Sequence, residues 1–242
     1  MPPELPRPTT LAPLPRALLI DVGFTLLSFD GVTIARHAAE AGLAVDPRAI
    51  DETERTLRAE LAQHDWPQSR ESTAPKSGGA TFFARMFRLA GANTAAVDEA
   101  AAHVWRRHLE KNVWSRPLPG ATEALARLRD RGIRMAVVSN SEGTVEALLG
   151  EVGMAAFFDV IIDSWHVGVT KPDRRIFDHT LGHLGIEARD AMMVGDSLRA
   201  DIGGAQAVGM RAVLMDPFAL HPQVEVPRFP SFSAFADALL AA

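Results

Sequence analysis

The sequence predicts an α/β fold, a doubly wound parallel sheet with an inserted α-helical subdomain. Three observations predict it. Five short apolar blocks read as strands buried on both faces, helical patterns alternate with the last four, and a long helical stretch separates the first block from the second.

The blocks are Ala17–Ile20, Met135–Val138, Val160–Ile162, Ala191–Val194 and Ala212–Met215. Each is compact and ends near a small or acidic residue, as parallel strands do when helices cover both faces. Pro119-Gly120 opens a helical pattern carrying Leu125 and Leu128, which Gly132 breaks. Asp173 is placed to cap a second one, with Ile176, Phe177 and Leu181 on its apolar face.

The first block breaks this rhythm. A strand–helix–strand unit needs about 30 residues, yet 114 residues lie between Ile20 and Met135. The intervening chain is helical in pattern. Val32–Ala41 is one amphipathic stretch, and Asp46-Pro47 caps and opens a longer one through Ile50, Leu57 and Leu61. Thr81–Ala90 is a third, and Thr94 is read as opening a fourth through Val104, Trp105 and Leu109. A polar Ser/Pro/Gly loop over 66–79 lies among them. The expected organisation is a loosely ordered proline-rich extension over 1–16, a core of 17–28 and 118–242, and a helical subdomain over 29–117.

Composition narrows the function. Hydrophobic residues make up 47% of the 242, the globular average, so a disordered or collagen-like chain is excluded. With 25 basic against 30 acidic residues there is no cationic surplus for nucleic acid. The absence of cysteine removes disulfides, thiol catalysis and Cys-ligated metals. No apolar run exceeds five residues, far short of a membrane span. The opening MPPELPRPTTLAPLPR lacks the apolar stretch of a signal peptide, so a cytoplasmic location is expected.

In open α/β sheets the site lies at the carboxyl ends of the strands. Those ends collect Asp21 with Thr25, then Ser139-Asn140, the loop reaching Lys171, and Gly195-Asp196-Ser197 with Asp201. Carboxylates suit Mg²⁺, and hydroxyls with an ammonium suit phosphoryl oxygens. No His–Ser pairing of a hydrolase triad is present.

ALLIDVGFTLL resembles the first motif of the haloacid dehalogenase-like (HAD) hydrolases, VVSN their second, VGVTKPDRRIF their third and MMVGDSLRADIGGAQAVGM their fourth. The order and spacing agree as well, and together the motifs span about residues 17–217. The resemblance implies a Rossmann-like core with a helical cap inserted after the first motif. It implies a phosphatase acting on a small phosphorylated molecule, with Asp21 as nucleophile and Thr25, Ser139, Asn140 and Lys171 around the phosphoryl group. Mg²⁺ would be held by Asp21, the carbonyl of Gly23, Asp196 and Asp201. One position departs from the family pattern. Its phosphatases carry a second aspartate two residues after the nucleophile, as general acid and base, and here that residue is Gly23.

Two other readings stay open at this level. A metal-independent 2-haloacid dehalogenase also lacks that aspartate, and would need a cap arginine such as Arg55 or Arg58. A HAD-fold binding or regulatory module would not need the aspartate at all. Simpler readings apply elsewhere. Asp163 and Asp173 read as caps, His166 as a solvated histidine, and Phe82, Phe83, Phe87 and Trp105 as core of the helical subdomain.

Overall fold

A computed structural model of the chain describes residues 11–63 and 78–242. Six parallel strands form one sheet in the order β5-β4-β1-β6-β7-β8. They are β1 (Ala17–Ile20), β4 (Arg134–Ser139), β5 (Val160–Asp163), β6 (Ala191–Gly195), β7 (Arg211–Met215) and the short edge strand β8 (Arg228–Phe229). Every predicted strand is present, four of them longer by one or two residues. Two short strands, β2 (Leu27–Ser28) and β3 (Arg116–Pro117), pair separately. These two and β8 were not foreseen, because two residues carry no readable period.

The strand sequences are continuously apolar because both faces are covered. Leu19, Val138, Met193 and Leu214 join one cluster with Ile176, Phe177 and Leu181. Their neighbours Leu18, Val137, Val194 and Val213, which alternation turns to the opposite face, are just as inaccessible. Register fixes the rim. Ile20 pairs with Val137 on one side and Val194 on the other, so the residues that succeed each strand emerge at one edge of the sheet.

The chain divides into two compact units, one holding the residues up to Leu27 with Pro117–Ala242, the other Ser28–Arg116. The second is helical: α1 (Gly31–Glu40), α2 (Pro47–Glu52), α3 (Glu54–Gln63), α4 (Gly78–Leu89) and α5 (Val97–Glu110). Asp30 caps α1 and Asp46 caps α2 through their side chains. The continuous helix expected from Pro47 through Leu61 divides at Thr53. There both the hydroxyl and the amide of Thr53 donate to the Ile50 carbonyl, tightening the turn. Thr94 does not open α5. Ala96 holds the cap position without a side-chain bond, so the sequence signal misplaced that start by three residues. Phe83, Phe87 and Ile34 are fully buried, and Phe82 lies 5.5 Å from Trp114, so these aromatics are the unit's core. Of the polar loop read over 66–79, residues 66–77 lie outside the described residues, and 78–79 already belong to α4.

The first unit adds α6 (Ala121–Asp130), α7 (Val145–Glu151), α8 (Ser164–Val167), α9 (Arg174–Leu184), α10 (Gly204–Ala207) and α11 (Phe232–Leu240). Asp163 caps α8 and Asp173 caps α9. His166 is exposed on α8. The extension reading needs correction for residues 11–16. Leu11 is buried, its carbonyl accepts from Arg211 Nη1 at 3.0 Å, and the Arg16 amide donates to the Asp190 carbonyl at 2.7 Å. An apolar seat and two backbone bonds hold this stretch despite its prolines. Residues 1–10 lie outside the described residues.

Candidate active site

β1 delivers Asp21 to the rim, anchored by its amide bonding the Val194 carbonyl at 2.9 Å. The chain then coils tightly: the amides of Thr25, Leu26 and Leu27 all point to the Val22 carbonyl. Phe24 takes φ 56°, a left-handed conformation that a bulky residue adopts only when its surroundings enforce it. Its buried ring and its amide bond to the Leu27 carbonyl, 2.7 Å, supply that enforcement. Gly23 bridges to Leu27 and is not among the left-handed residues. Thr25 is buried, and its hydroxyl has no hydrogen-bond partner among the described residues.

Lys171 is the centre of charge. Its ammonium donates to Asp21 Oδ1 and to the Val138 carbonyl, each at 2.7 Å, and forms an ion pair with Asp201 Oδ1 at 2.7 Å. Burial alone would discharge this lysine, but Asp201 and Asp21 together outweigh burial and hold it above its ordinary range. Asp21 behaves oppositely. Burial pushes its carboxyl up to about 6 and Asp201 adds to this, while Lys171 opposes the rise without cancelling it. The site therefore holds more negative charge than its one lysine neutralises.

A third carboxylate joins them. Oxygens of Asp21, Asp196 and Asp201 lie within 4.8 Å of one another, a donor set of hard oxygens that fits a divalent cation such as Mg²⁺. Asp201 reaches the cluster from a π-helical turn over Leu198–Gly203, where Ser197 caps the turn and donates its amide to Asp201 Oδ2 at 2.9 Å. Only glycine fits at 195, since a Cβ there would stand 2.3 Å from Asp201 Oδ2.

Ser139 ends β4, buried and paired in register with Asp163. Asn140 is tied differently: its Nδ2 donates to the Lys171 carbonyl at 3.0 Å and its Oδ1 accepts the Lys171 amide at 2.8 Å. This reciprocal clamp spends the Asn140 amide on holding the lysine's backbone. No local pattern announces it, because the partners are 31 residues apart. Sequence reasoning also missed the clamp on the next residues. Asp163 accepts the amides of Gly143 at 3.0 Å, Val145 at 3.3 Å and Trp165 at 2.9 Å, and Ser164 Oγ bonds both backbone groups of Ser141. An Asp-Ser pair closing a buried strand was the available signal.

A family model for haloacid dehalogenase-like hydrolases matches residues 15–209. The haloacid dehalogenase-like hydrolase domain-containing protein 3 of Homo sapiens is 34% identical over 237 residues, covering 93% of each chain. A ribulose-1,5-bisphosphate 5-phosphatase of Halopiger xanaduensis is 37% identical over 114 residues, 47% of this chain and 46% of that one. Among solved structures, the magnesium-bound HAD-hydrolase YfnB of Bacillus subtilis superposes with a TM-score of 0.68 at 21% identity, covering 94% and 99% of the two chains. No helix among the described residues is long and apolar enough to cross a membrane.

Proposed function

Because this chain belongs to the haloacid dehalogenase-like hydrolases, we propose that it is a Mg²⁺-dependent phosphatase of small phosphorylated molecules, working through an aspartyl-phosphate on Asp21. The observation that carries the reading is the convergence at the rim of three carboxylates, two of which share one buried lysine. Relatives named as phosphatases support the same chemistry.

Mg²⁺ held by Asp21, Asp196, Asp201 and the Gly23 carbonyl would neutralise charge developing on the phosphoryl oxygens. Asp21 attacks phosphorus, a bond forms from its carboxylate oxygen, and the bond to the leaving oxygen breaks with its electron pair. Thr25 and Ser139 supply hydroxyl donors to the phosphoryl oxygens, the Lys171 ammonium adds its charge beside them, and the Thr25 hydroxyl, without a partner among the described residues, fits that use. Water then attacks the aspartyl-phosphate at phosphorus, releasing inorganic phosphate and restoring the Asp21 carboxylate. The helical unit serves as the cap. Asn140 is a positioning residue, acting through the Lys171 backbone.

Gly23 shapes the rate. With no carboxylic acid at that place, the leaving oxygen departs as an anion or takes its proton from water or from a residue of the helical unit. Aryl phosphates should therefore turn over much faster than alkyl phosphates. Gly23→Asp should raise alkyl-phosphate hydrolysis about 10²-fold, the low end of general acid–base effects. Its backbone is outside the left-handed region, so a side chain there carries no φ strain. Of the two arginines the dehalogenase reading would draw on, Arg58 is buried and paired to Glu54 at 3.4 Å, whereas Arg55 is exposed.

The deciding experiment is a screen of phosphorylated metabolites with and without Mg²⁺. Turnover that Mg²⁺ restores after chelation is the expected result. Full turnover in excess chelator overturns the metal assignment, and halide release from 2-chloropropionate overturns the phosphatase.

A further inference from the structure

We propose that the rim between β4 and β5 carries a second recognition subsite, in which the indole of Trp165 stacks against a planar ring on the leaving group of the substrate. The inference rests on the phosphatase reading and deepens it by naming a substrate class, phosphomonoesters of ring-bearing alcohols such as nucleoside 5′-phosphates.

Trp165 is the most exposed aromatic among the large hydrophobic side chains of the described residues, 46% accessible, and it stands on α8 two residues beyond the end of β5. An indole left in water at that level forfeits the burial such a side chain ordinarily gains. It is nevertheless held firmly. Its amide bonds Asp163 Oδ1 at 2.9 Å, and Asp163 Oδ2 accepts from Gly143. The indole lies directly against Gly143, where φ is +93° and a Cβ would stand 2.8 Å from Trp165 Cδ1. One side of the ring thus rests on bare backbone while nearly half of its surface stays open.

The location fits a leaving group. β5 lies two strands from β1, about 10 Å across the sheet at ordinary strand spacing, and the intervening strand ends in Ser139 beside the phosphoryl site. A platform at that lateral distance meets the far end of a phosphomonoester rather than its phosphate. A flat, partly exposed indole face suits a planar ring better than an aliphatic chain.

The test compares two alkyl phosphates of similar leaving-group chemistry, adenosine 5′-phosphate and glycerol 1-phosphate, so that the consequence of Gly23 cancels. Trp165→Ala should lower the ratio of their kcat/KM values about ten-fold, mainly through KM for adenosine 5′-phosphate, and Trp165→Phe should restore most of it. A loss shared equally by both substrates, or an unchanged ratio, overturns the proposal. Calorimetric binding of adenosine 5′-phosphate to Asp21→Asn, with and without Trp165→Ala, reads the platform without turnover. Weaker binding in the double variant upholds the subsite even if no phosphatase activity is found, and equal binding overturns it.

Discussion

The two units bury charge in opposite ways. In the helical unit, anions are matched by cations and donors. Glu54 accepts from Ser28 Oγ at 2.8 Å and pairs with Arg58 at 3.4 Å and Arg116 at 3.7 Å, and Asp51 pairs with Arg116 at 3.2 Å. In the sheet unit, Asp21 and Asp201 share the single ammonium of Lys171, and an oxygen of Asp196 lies within 4.8 Å of theirs. A matched network is what a scaffold needs. An unmatched one costs stability in the empty protein, and such a cost persists where a ligand repays it. The contrast separates structural ionic groups from functional ones without reference to any motif.

The largest effect should come from removing a carboxylate of the rim cluster. Asp196→Asn should lower phosphatase activity about 10³-fold and abolish its Mg²⁺ dependence, since a bound cation supplies several kcal/mol of transition-state stabilisation. Parent-like turnover with retained Mg²⁺ response would break the comparison at its root. Next comes a pair of opposite sign. Asp21→Asn should stabilise the metal-free protein at pH 7 by up to about 3 kcal/mol, because the buried carboxyl, raised to about 6, resists ionisation there. The folded state binds this proton more tightly than the unfolded one. The gain is therefore full above pH 6, shrinks as the pH falls from 6 toward 3.8, and vanishes below, as melting curves across pH will show. In the matched network the sign reverses. Glu54→Gln should destabilise the protein by about 2 kcal/mol, leaving Arg58 without the Glu54 carboxylate, and should not alter Mg²⁺ affinity measured by titration calorimetry.

Much of this was legible in the chain because it is carried by local order. The strand blocks needed only a run of apolar residues, and the site needed only the rule that strand ends share a rim, which brings Asp21 and Lys171 together across 150 positions. The hidden features depend on partners rather than on pattern. The Asn140 clamp, the division at Thr53 and the triple use of Asp163 are each a polar side chain choosing among several acceptors or donors, a choice that the fold makes. Leu11 was misjudged for the same reason, since prolines around it signal a loop but say nothing about the surface the loop lies on.

The insertion after β1 also shapes how the chain is made. Ile20 finds its neighbours only at Val137 and Val194, so on the ribosome the strand waits for 117 more residues before its first partner exists. At ordinary rates of synthesis that is roughly ten seconds during which a wholly apolar segment is exposed with open edges. Arg16 and Asp21 flank it on either side, the placement of gatekeeper charges that deter wrong strands from adding on. The carboxylate proposed as nucleophile would then act first as a guard on its own strand, well before the lysine that later restrains it has been translated.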